Sequence, residues 1–300
     1  GHANSPFGLV ARQGGTELGH PYTSMSHFYD THAHLATPPF SQDLPQVLDR
    51  AQAAGITRIV CVATDLASSE RVIQLAEQHD CLYAVVGWHP SDANAAPEDI
   101  RPTLRQMAVH PKVVALGETG LDYYHLPSKE KRGTLADDDQ LKRNQARLFA
   151  QHLEVAVETG LNVVIHQRGP CFDEVLALFA PFAARLRSVF HCFAETPDNL
   201  QRILALGSLV SFTGILTYKN GQNIRDALTA CPLDRFMLET DCPYLTPEPF
   251  RAQKIRRCEP AFTRETAMMA AQVKQCSLAD LSAATCATAE QFFPKMNRAH

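Results

Sequence analysis

Eight short apolar segments recur along this chain of 300 residues, at intervals that leave room for a helix between each pair. They lie at 28–32, 58–64, 82–88, 112–118, 161–166, 188–193, 208–214 and 235–240. Several are continuously apolar, as are strands that a parallel sheet buries on both faces. The alternation predicts an α/β fold, a (β/α)8 TIM barrel in a single domain. An open doubly wound sheet is the alternative, which the lack of a glycine-rich dinucleotide fingerprint or a P-loop disfavours.

Helix signals lie between the apolar segments. Capping residues, prolines in first turns and glycines at helix ends mark several of them. Helices are predicted at 45–55, 139–160 and 196–207, and from the capping box at 277–280 toward Phe293. Residues 124–138 are predicted to form a long charged loop at the barrel mouth. Lys129, Lys131 and Arg132 of that loop could contact a polyanionic substrate, although a solvated loop is the favoured interpretation.

The two ends of the chain are set apart from the barrel. Residues 1–25 are rich in glycine and polar residues and lack the apolar core of a signal peptide, so we expect an expression leader or disordered tail. Met25 is a plausible native start. The barrel is predicted to cover residues 26–294, followed by a C-terminal tail at 295–300.

Composition narrows the class of protein. A hydrophobic content of 45%, a charged content of 20% and a net charge of −4 are typical of a globular enzyme. Bulk charge cannot hold nucleic acid here, so any contact with phosphate must be local. Nine cysteines without a CxxC pair indicate reduced thiols in a cytoplasmic protein. The sequence contains no apolar run of about 18 residues, so we predict no transmembrane helix. We also expect a monomer.

Polar side chains gather at the predicted C-terminal ends of the strands. In FYDTHAHL, residues 28–35, the alternation of a strand points His32 and His34 the same way, and Asp30 with them. The other strand-end residues are His89, Glu118, His166, His191 and Asp241. In a closed barrel these ends meet around one pocket. His79, His110, His125 and His152 lie in predicted helices or loops, and we expect them to be structural or exposed.

These residue types suit a divalent metal ion. Imidazoles and carboxylates together are ligands for zinc, manganese or a related ion. A carboxylate such as that of Glu118 can bridge two ions, and such a pair can clamp a phosphoryl group. Each residue alone also fits a structural role: His166 as a strand-end histidine bonded to backbone, Glu118 or Asp241 as a turn or cap residue. Their joint occurrence at successive strand ends favours the metal site.

Seven motifs resemble a known family. DTHAHL, GWHP, GETGLDYY, VVIHQR, HCF, SFTGILTYKN and ETDCPYLTP occur in this order. Together they resemble the TatD family of metal-dependent deoxyribonucleases, among the amidohydrolase-like barrels, over roughly residues 28–293. The HxH pair alone is weak evidence, whereas GETGLDYY and ETDCPYL are specific.

The resemblance implies a ligand set and a reaction. It places two divalent ions (Mg, Mn or Zn) on His32, His34, Glu118, His166, His191 and Asp241. Glu118 would bridge the ions, and Asp241 would also orient or deprotonate the attacking water, which makes these two the expected catalytic residues. His89, Arg168 and Arg256 are the expected contacts to substrate phosphate. The implied partner is DNA, cut as single strands by a 3'-5' exonuclease.

The chain departs from the family pattern in two places near the expected mouth. HCFAE, with Ala194 and Glu195, stands where the family often has HCFSG. RAQKIRRCEP at 251–260 replaces the usual RGKRNEP, with Cys258 in place of asparagine. Arg251, Arg256 and Arg257 keep the local positive charge.

Two other functions fit the same barrel. A lactonase or cyclic amidase would often bridge its metals with a modified lysine, but Glu118 stands at the end of the fourth strand, which favours the nuclease. A non-catalytic barrel would be expected to have lost ligands, and all six positions are filled.

Overall fold

Eight parallel β-strands alternate with helices along residues 25–298, the part of the chain that the computed structural model describes. The strands are β1 Phe28–Ala33, β2 Ile56–Val62, β3 Leu82–Val86, β4 Val113–Asp122, β5 Asn162–Arg168, β6 Ser188–Phe190, β7 Leu209–Phe212 and β8 Phe236–Leu238. They pair in sequence order, each parallel to the next. The predicted (β/α)8 barrel is therefore confirmed. The predicted leader, apart from Met25, lies outside the described residues, as do residues 299–300.

Nine α-helices surround the strands within the described residues. They are α1 Leu44–Ala53, α2 Leu66–Gln78, α3 Arg101–Ala108, α4 Leu135–Thr159, α5 Phe172–Phe179, α6 Pro197–Ala205, α7 Gln222–Ala230, α8 Thr263–Lys274 and α9 Leu278–Phe292. Thr196 and Ser277 cap α6 and α9 as predicted, each accepting a bond from the backbone N–H three residues on. Among residues 25–298, every helix is too short or too polar to cross a lipid bilayer.

The predicted bounds of the fourth strand and of the following loop and helix are wrong. β4 continues four residues beyond Glu118, to Asp122. α4 begins at Leu135 rather than at 139, because Thr134 and Asp137 form a capping box: the N–H of Thr134 donates to Asp137 at 2.7 Å. The charged loop that was predicted to reach residue 138 therefore ends at Thr134.

The barrel closes at a short seam between its last strand and its first. Beyond β8, Ala33 and Cys242 form a parallel bridge, and Asp241 N donates to His32 O at 2.8 Å. Thr31 Oγ1 adds a bond of 3.0 Å to Leu238 O. The seam therefore joins the ends of β1 and β8, where two groups of expected site residues lie.

Apolar side chains fill two layers. One cluster packs the helices against the outer face of the sheet, and the other joins alternate strand residues to the end of α9. The second cluster includes Val60, Val62, Val85, Val164 and Phe292. Pro294–Asn297 forms a 3-10 turn in which Met296 is buried, and Lys295 donates to Ala108 O and His110 O. The N-terminal end of the barrel is thereby covered, and the opposite end is left for the site.

Candidate metal centre

Two glycines shape the strand that carries Glu118. Gly117 and Gly120 have φ of +138° and +136°, which L side chains rarely adopt. A Cβ on Gly117 would lie 2.5 Å from Val164 O of β5, and one on Gly120 would meet His166 O. The pairing of β4 with β5 shifts register between Leu116 and Thr119. Glycine thus permits the close approach of the two strands on either side of the buried Glu118.

Four donor atoms form the first half of the cluster. His32 Nε2 lies 3.3 Å from His34 Nε2 and 3.5 Å from Asp241 Oδ1, and His34 Nε2 lies 3.2 Å from the same oxygen. Glu118 Oε2 lies 3.3 Å from His32 Nε2 and 3.5 Å from His34 Nε2. The other ring nitrogen of His34, Nδ1, is 2.9 Å from Val62 O, which leaves Nε2 free to act as a ligand.

This half of the cluster fits a metal ion. Glu118 Oε2 is buried and forms no hydrogen bond within residues 25–298. His32 Nε2, His34 Nε2 and Asp241 Oδ1 lie 3.2–3.5 Å from one another, so a point about 2.1 Å from all three exists, within the range of zinc bonds to nitrogen and oxygen. An orphaned carboxylate oxygen among imidazoles is costly unless a cation satisfies it.

The other oxygen of Glu118 faces a second set of histidines. Oε1 lies 2.6 Å from His191 Nε2, 2.9 Å from His166 Nδ1 and 3.5 Å from His89 Nε2. His166 Nδ1 and His191 Nε2 are 3.2 Å apart. The rings of His32 and His191 stack with centroids 3.9 Å apart, so the two halves adjoin. Glu118 therefore presents one oxygen to each half.

Burial and neighbouring charges shift the pKa values of the clustered side chains in opposite directions. Burial alone would raise the pKa of Glu118, but His191, His89 and His32 hold it well below its usual value. Burial alone would lower the pKa of His191, yet Glu118 and Glu239 raise it well above its usual value. Each charge is thus stabilised chiefly by the others, and bound cations would take over the role of the histidine protons.

Two buried carboxylates that the sequence analysis did not select support these histidines. Asp122 Oδ2 lies 2.9 Å from His166 Nε2, which leaves Nδ1 turned toward Glu118. Glu239 lies 3.5 Å from His191 Nδ1 and 3.8 Å from His32 Nδ1, and it accepts a bond of 2.6 Å from Cys192 N. A signal was present for Glu239, because it precedes Asp241 by two residues at the end of a strand.

Four of the other five predicted ligands, His32, His34, His166 and His191, lie within 3.5 Å of Glu118. Asp241, the fifth, lies within 3.5 Å of His32 and His34 instead. His89, expected at substrate phosphate, also lies inside the cluster, 4.4 Å from His166 between ring centroids. Asp30 lies outside it and binds the backbone of His32 and Thr240.

The expected arginines lie nearer the solvent. Arg168 is exposed, and its guanidinium lies 4.5 Å from the centre of the Tyr124 ring. Arg256 is exposed as well. Arg257, by contrast, donates two hydrogen bonds of 2.7 and 2.8 Å to the carboxylate of Asp43, which indicates a structural role. Lys129 donates to Tyr123 O at 2.7 Å, and Arg132 pairs with Glu130.

A parallel barrel with histidines and carboxylates clustered at the carboxyl ends of its strands defines the class of metal-dependent barrel hydrolases. The family model described as TatD related DNase matches residues 29–294. The chain therefore belongs to the TatD family of metal-dependent hydrolases.

Individual relatives agree with this family. The chain is 32% identical over 265 residues to the uncharacterized metal-dependent hydrolase YabD of Bacillus subtilis, covering 88% of this chain and 98% of that one. It is 31% identical over 269 residues to a protein of Erwinia tasmaniensis named 3'-5' ssDNA/RNA exonuclease TatD, covering 88% and 99%. The crystal structure of YJJV, a TatD homologue of Escherichia coli K12, superimposes with a TM-score of 0.79 at 28% identity, covering 90% and 98%.

Proposed function

We propose that this protein is a two-metal phosphodiesterase that removes nucleotides from the 3' end of single-stranded DNA. The observation that carries the proposal is the position of Glu118, whose two carboxylate oxygens face two separate histidine sets. A bridging carboxylate between two ions suits phosphoryl transfer, in which charge develops on both the attacking and the leaving oxygen. The printed name of the Erwinia tasmaniensis relative supports the choice of substrate.

His32, His34 and Asp241 would hold one ion and His166 and His191 the other, with Glu118 shared. When bound, the ions supply Lewis acidity: they lower the pKa of water from 15.7 to about 7 and neutralise charge on phosphoryl oxygens. The side chain of Asp241 is 17% exposed, against 1% for His32 and 2% for Glu118. Asp241 is thus the carboxylate of the ligand set most open to an incoming water, and we assign it the role of orienting that water and accepting its proton.

Residues around the mouth would position the substrate. The guanidinium of Arg168, above Tyr124 and two residues from His166, can bind the phosphate next to the scissile one. Arg256 is the second candidate for this role. His89 approaches Glu118 to 3.5 Å and would contact the scissile phosphate itself.

Metal removal tests this function directly. Protein stripped of metal should leave a 5'-labelled single-stranded DNA intact, and addition of Mg²⁺, Mn²⁺ or Zn²⁺ should produce a ladder shortened from the 3' end. RNA, duplex DNA, a lactone and a cyclic amide complete the panel. Equal DNA cleavage without metal would contradict the proposal, and hydrolysis of the lactone or amide alone would favour the small-molecule alternative.

Matched variants show where the activity resides. Replacing both His32 and His34 by alanine should abolish metal-dependent cleavage, because one ion loses two of its ligands. His27, exposed and at the opposite end of β1, is the control, and His27→Ala should cleave as the wild-type protein does.

All nine cysteines are free, which supports our proposal of a reducing, cytoplasmic location. The monomeric state also stays a prediction, and sedimentation analysis would test it.

A further inference from the structure

His125 follows β4 directly and is bound to the carboxylate that supports the metal centre. Its Nδ1 lies 2.9 Å from Asp122 Oδ2, the same oxygen that binds His166 Nε2 at 2.9 Å. The backbone N–H of His125 also donates to Asp122 Oδ1 at 2.9 Å. The imidazoles of His125 and His166 therefore both bind Asp122 Oδ2. Their two nitrogens, His125 Nδ1 and His166 Nε2, are separated by no more than two hydrogen-bond lengths.

The two imidazoles differ in what they can do. His166 turns its second nitrogen inward to Glu118, whereas the side chain of His125 is 35% exposed and stands beside the exposed Tyr124. A carboxylate that accepts from Nδ1–H fixes the orientation of the ring, as an orienting residue does for a catalytic histidine. Nε2 of His125 is then left to exchange a proton with a group arriving from the mouth.

We infer that His125 is the general acid of the reaction, an inference that rests on the proposed phosphodiesterase function. Water oxygen bonds to phosphorus and gives one proton to Asp241. The bond from phosphorus to the leaving nucleoside oxygen breaks, and that oxygen takes the proton from His125 Nε2. Solvent restores both groups to their starting states. Asp122 is a positioning residue in this scheme, with Tyr124 and Arg168 as the neighbouring side chains on the solvent side.

A change of leaving atom tests this role. The variants His125→Asn and His125→Gln are compared with wild-type protein on an oligonucleotide and on the same oligonucleotide with sulfur replacing the bridging leaving oxygen. An alkoxide needs protonation to leave, whereas a thiolate does not. The variants should lose about 10²–10⁴-fold in kcat on the oxygen substrate, the usual contribution of a general acid, and less than about tenfold on the sulfur substrate.

Three controls separate this role from a structural one. Metal content and melting temperature of the His125 variants should equal those of the wild-type protein, and His27→Gln should retain full activity on both substrates. An equal loss on both substrates, or no loss on either, would overturn the assignment of His125. If the wild-type protein itself cleaves neither oligonucleotide, the proposed function fails, and this inference falls with it.

Discussion

At the scale of single residues, Glu118 decides whether the site can hold metal on both sides. Its Oε2 has no hydrogen-bond partner in the described part of the chain, and its Oε1 lies within 2.9 Å of two histidines. A carboxylate can serve both sides because both oxygens are acceptors with negative charge, whereas an amide offers only one oxygen. Glutamine, the closest isostere of Glu118, is therefore not expected to serve both sides of the site.

We expect Glu118→Gln to lower the ratio of bound metal to protein and to reduce DNA cleavage by at least about 100-fold, since even loss of a supporting residue costs about 10–100-fold at metal sites. Metal analysis and exonuclease assays measure both effects. Glu98→Gln is the matched control, because Glu98 is 87% exposed and pairs with Arg147 on the surface. Normal metal content in Glu118→Gln would argue against a bridging role.

The residues of the cluster could be predicted from the sequence, and the carboxylates that support them only in part; that the cluster binds metal stays a prediction. His32 and His34 follow from strand alternation, and Glu118, His166, His191 and Asp241 follow from their places at strand ends. Asp122 could not be found in this way, because Gly117 and Gly120 resemble a turn that ends the strand at Glu118. The structure shows that these glycines instead let β4 continue alongside β5.

At the scale of elements, α4 supports the end of β3 through one buried histidine. His152 Nδ1 bonds Leu148 O at 2.7 Å, so its Nε2 accepts from Trp88 N at 3.0 Å. A Cβ on Gly87 would lie 2.6 Å from that Nε2, so glycine is needed for this contact. Because Trp88 precedes His89, the helix helps to position a residue of the metal centre.

Burial lowers the pKa of His152 from 6.5 to about 4. Since the unfolded chain takes up this proton below pH 6.5 and the folded chain does not, acidification from pH 6.5 to 4 favours unfolding. The contribution is about 3 kcal/mol, at about 1.4 kcal/mol per pKa unit, and it is fully present above pH 6.5. Urea unfolding at pH 7 and pH 5 should therefore show a smaller pH effect in His152→Gln than in the wild-type protein. His27→Gln should retain the wild-type effect. The same change in the free energy of unfolding between pH 7 and pH 5 in all three proteins would refute this account.

At the scale of the whole molecule, the seam that closes the barrel is also the seam that assembles the first half of the metal centre. β8 is three residues long and pairs with β7, and its link to β1 is the bridge between Ala33 and Cys242 beyond its end. The side chain of Asp30 adds hydrogen bonds across this seam. It accepts from His32 N at 3.2 Å, from Thr240 N at 3.0 Å and from Thr240 Oγ1 at 2.6 Å. The closure of the barrel and the candidate metal centre therefore share the same few residues.

Removing this carboxylate should weaken both. Asp30→Ala leaves two buried backbone N–H groups without acceptors, at about 1–3 kcal/mol each, so we expect a loss of about 2–6 kcal/mol in the free energy of unfolding. Asp30→Asn, which keeps one acceptor oxygen, should lose less. Urea unfolding measures both variants against Asp173→Ala, whose side chain is 85% exposed and whose loss should change stability by less than about 0.5 kcal/mol. Because the seam carries His32 and Asp241, the metal affinity of Asp30→Ala should fall together with its stability; a variant that is destabilised but binds metal normally would show that closure and the site are independent.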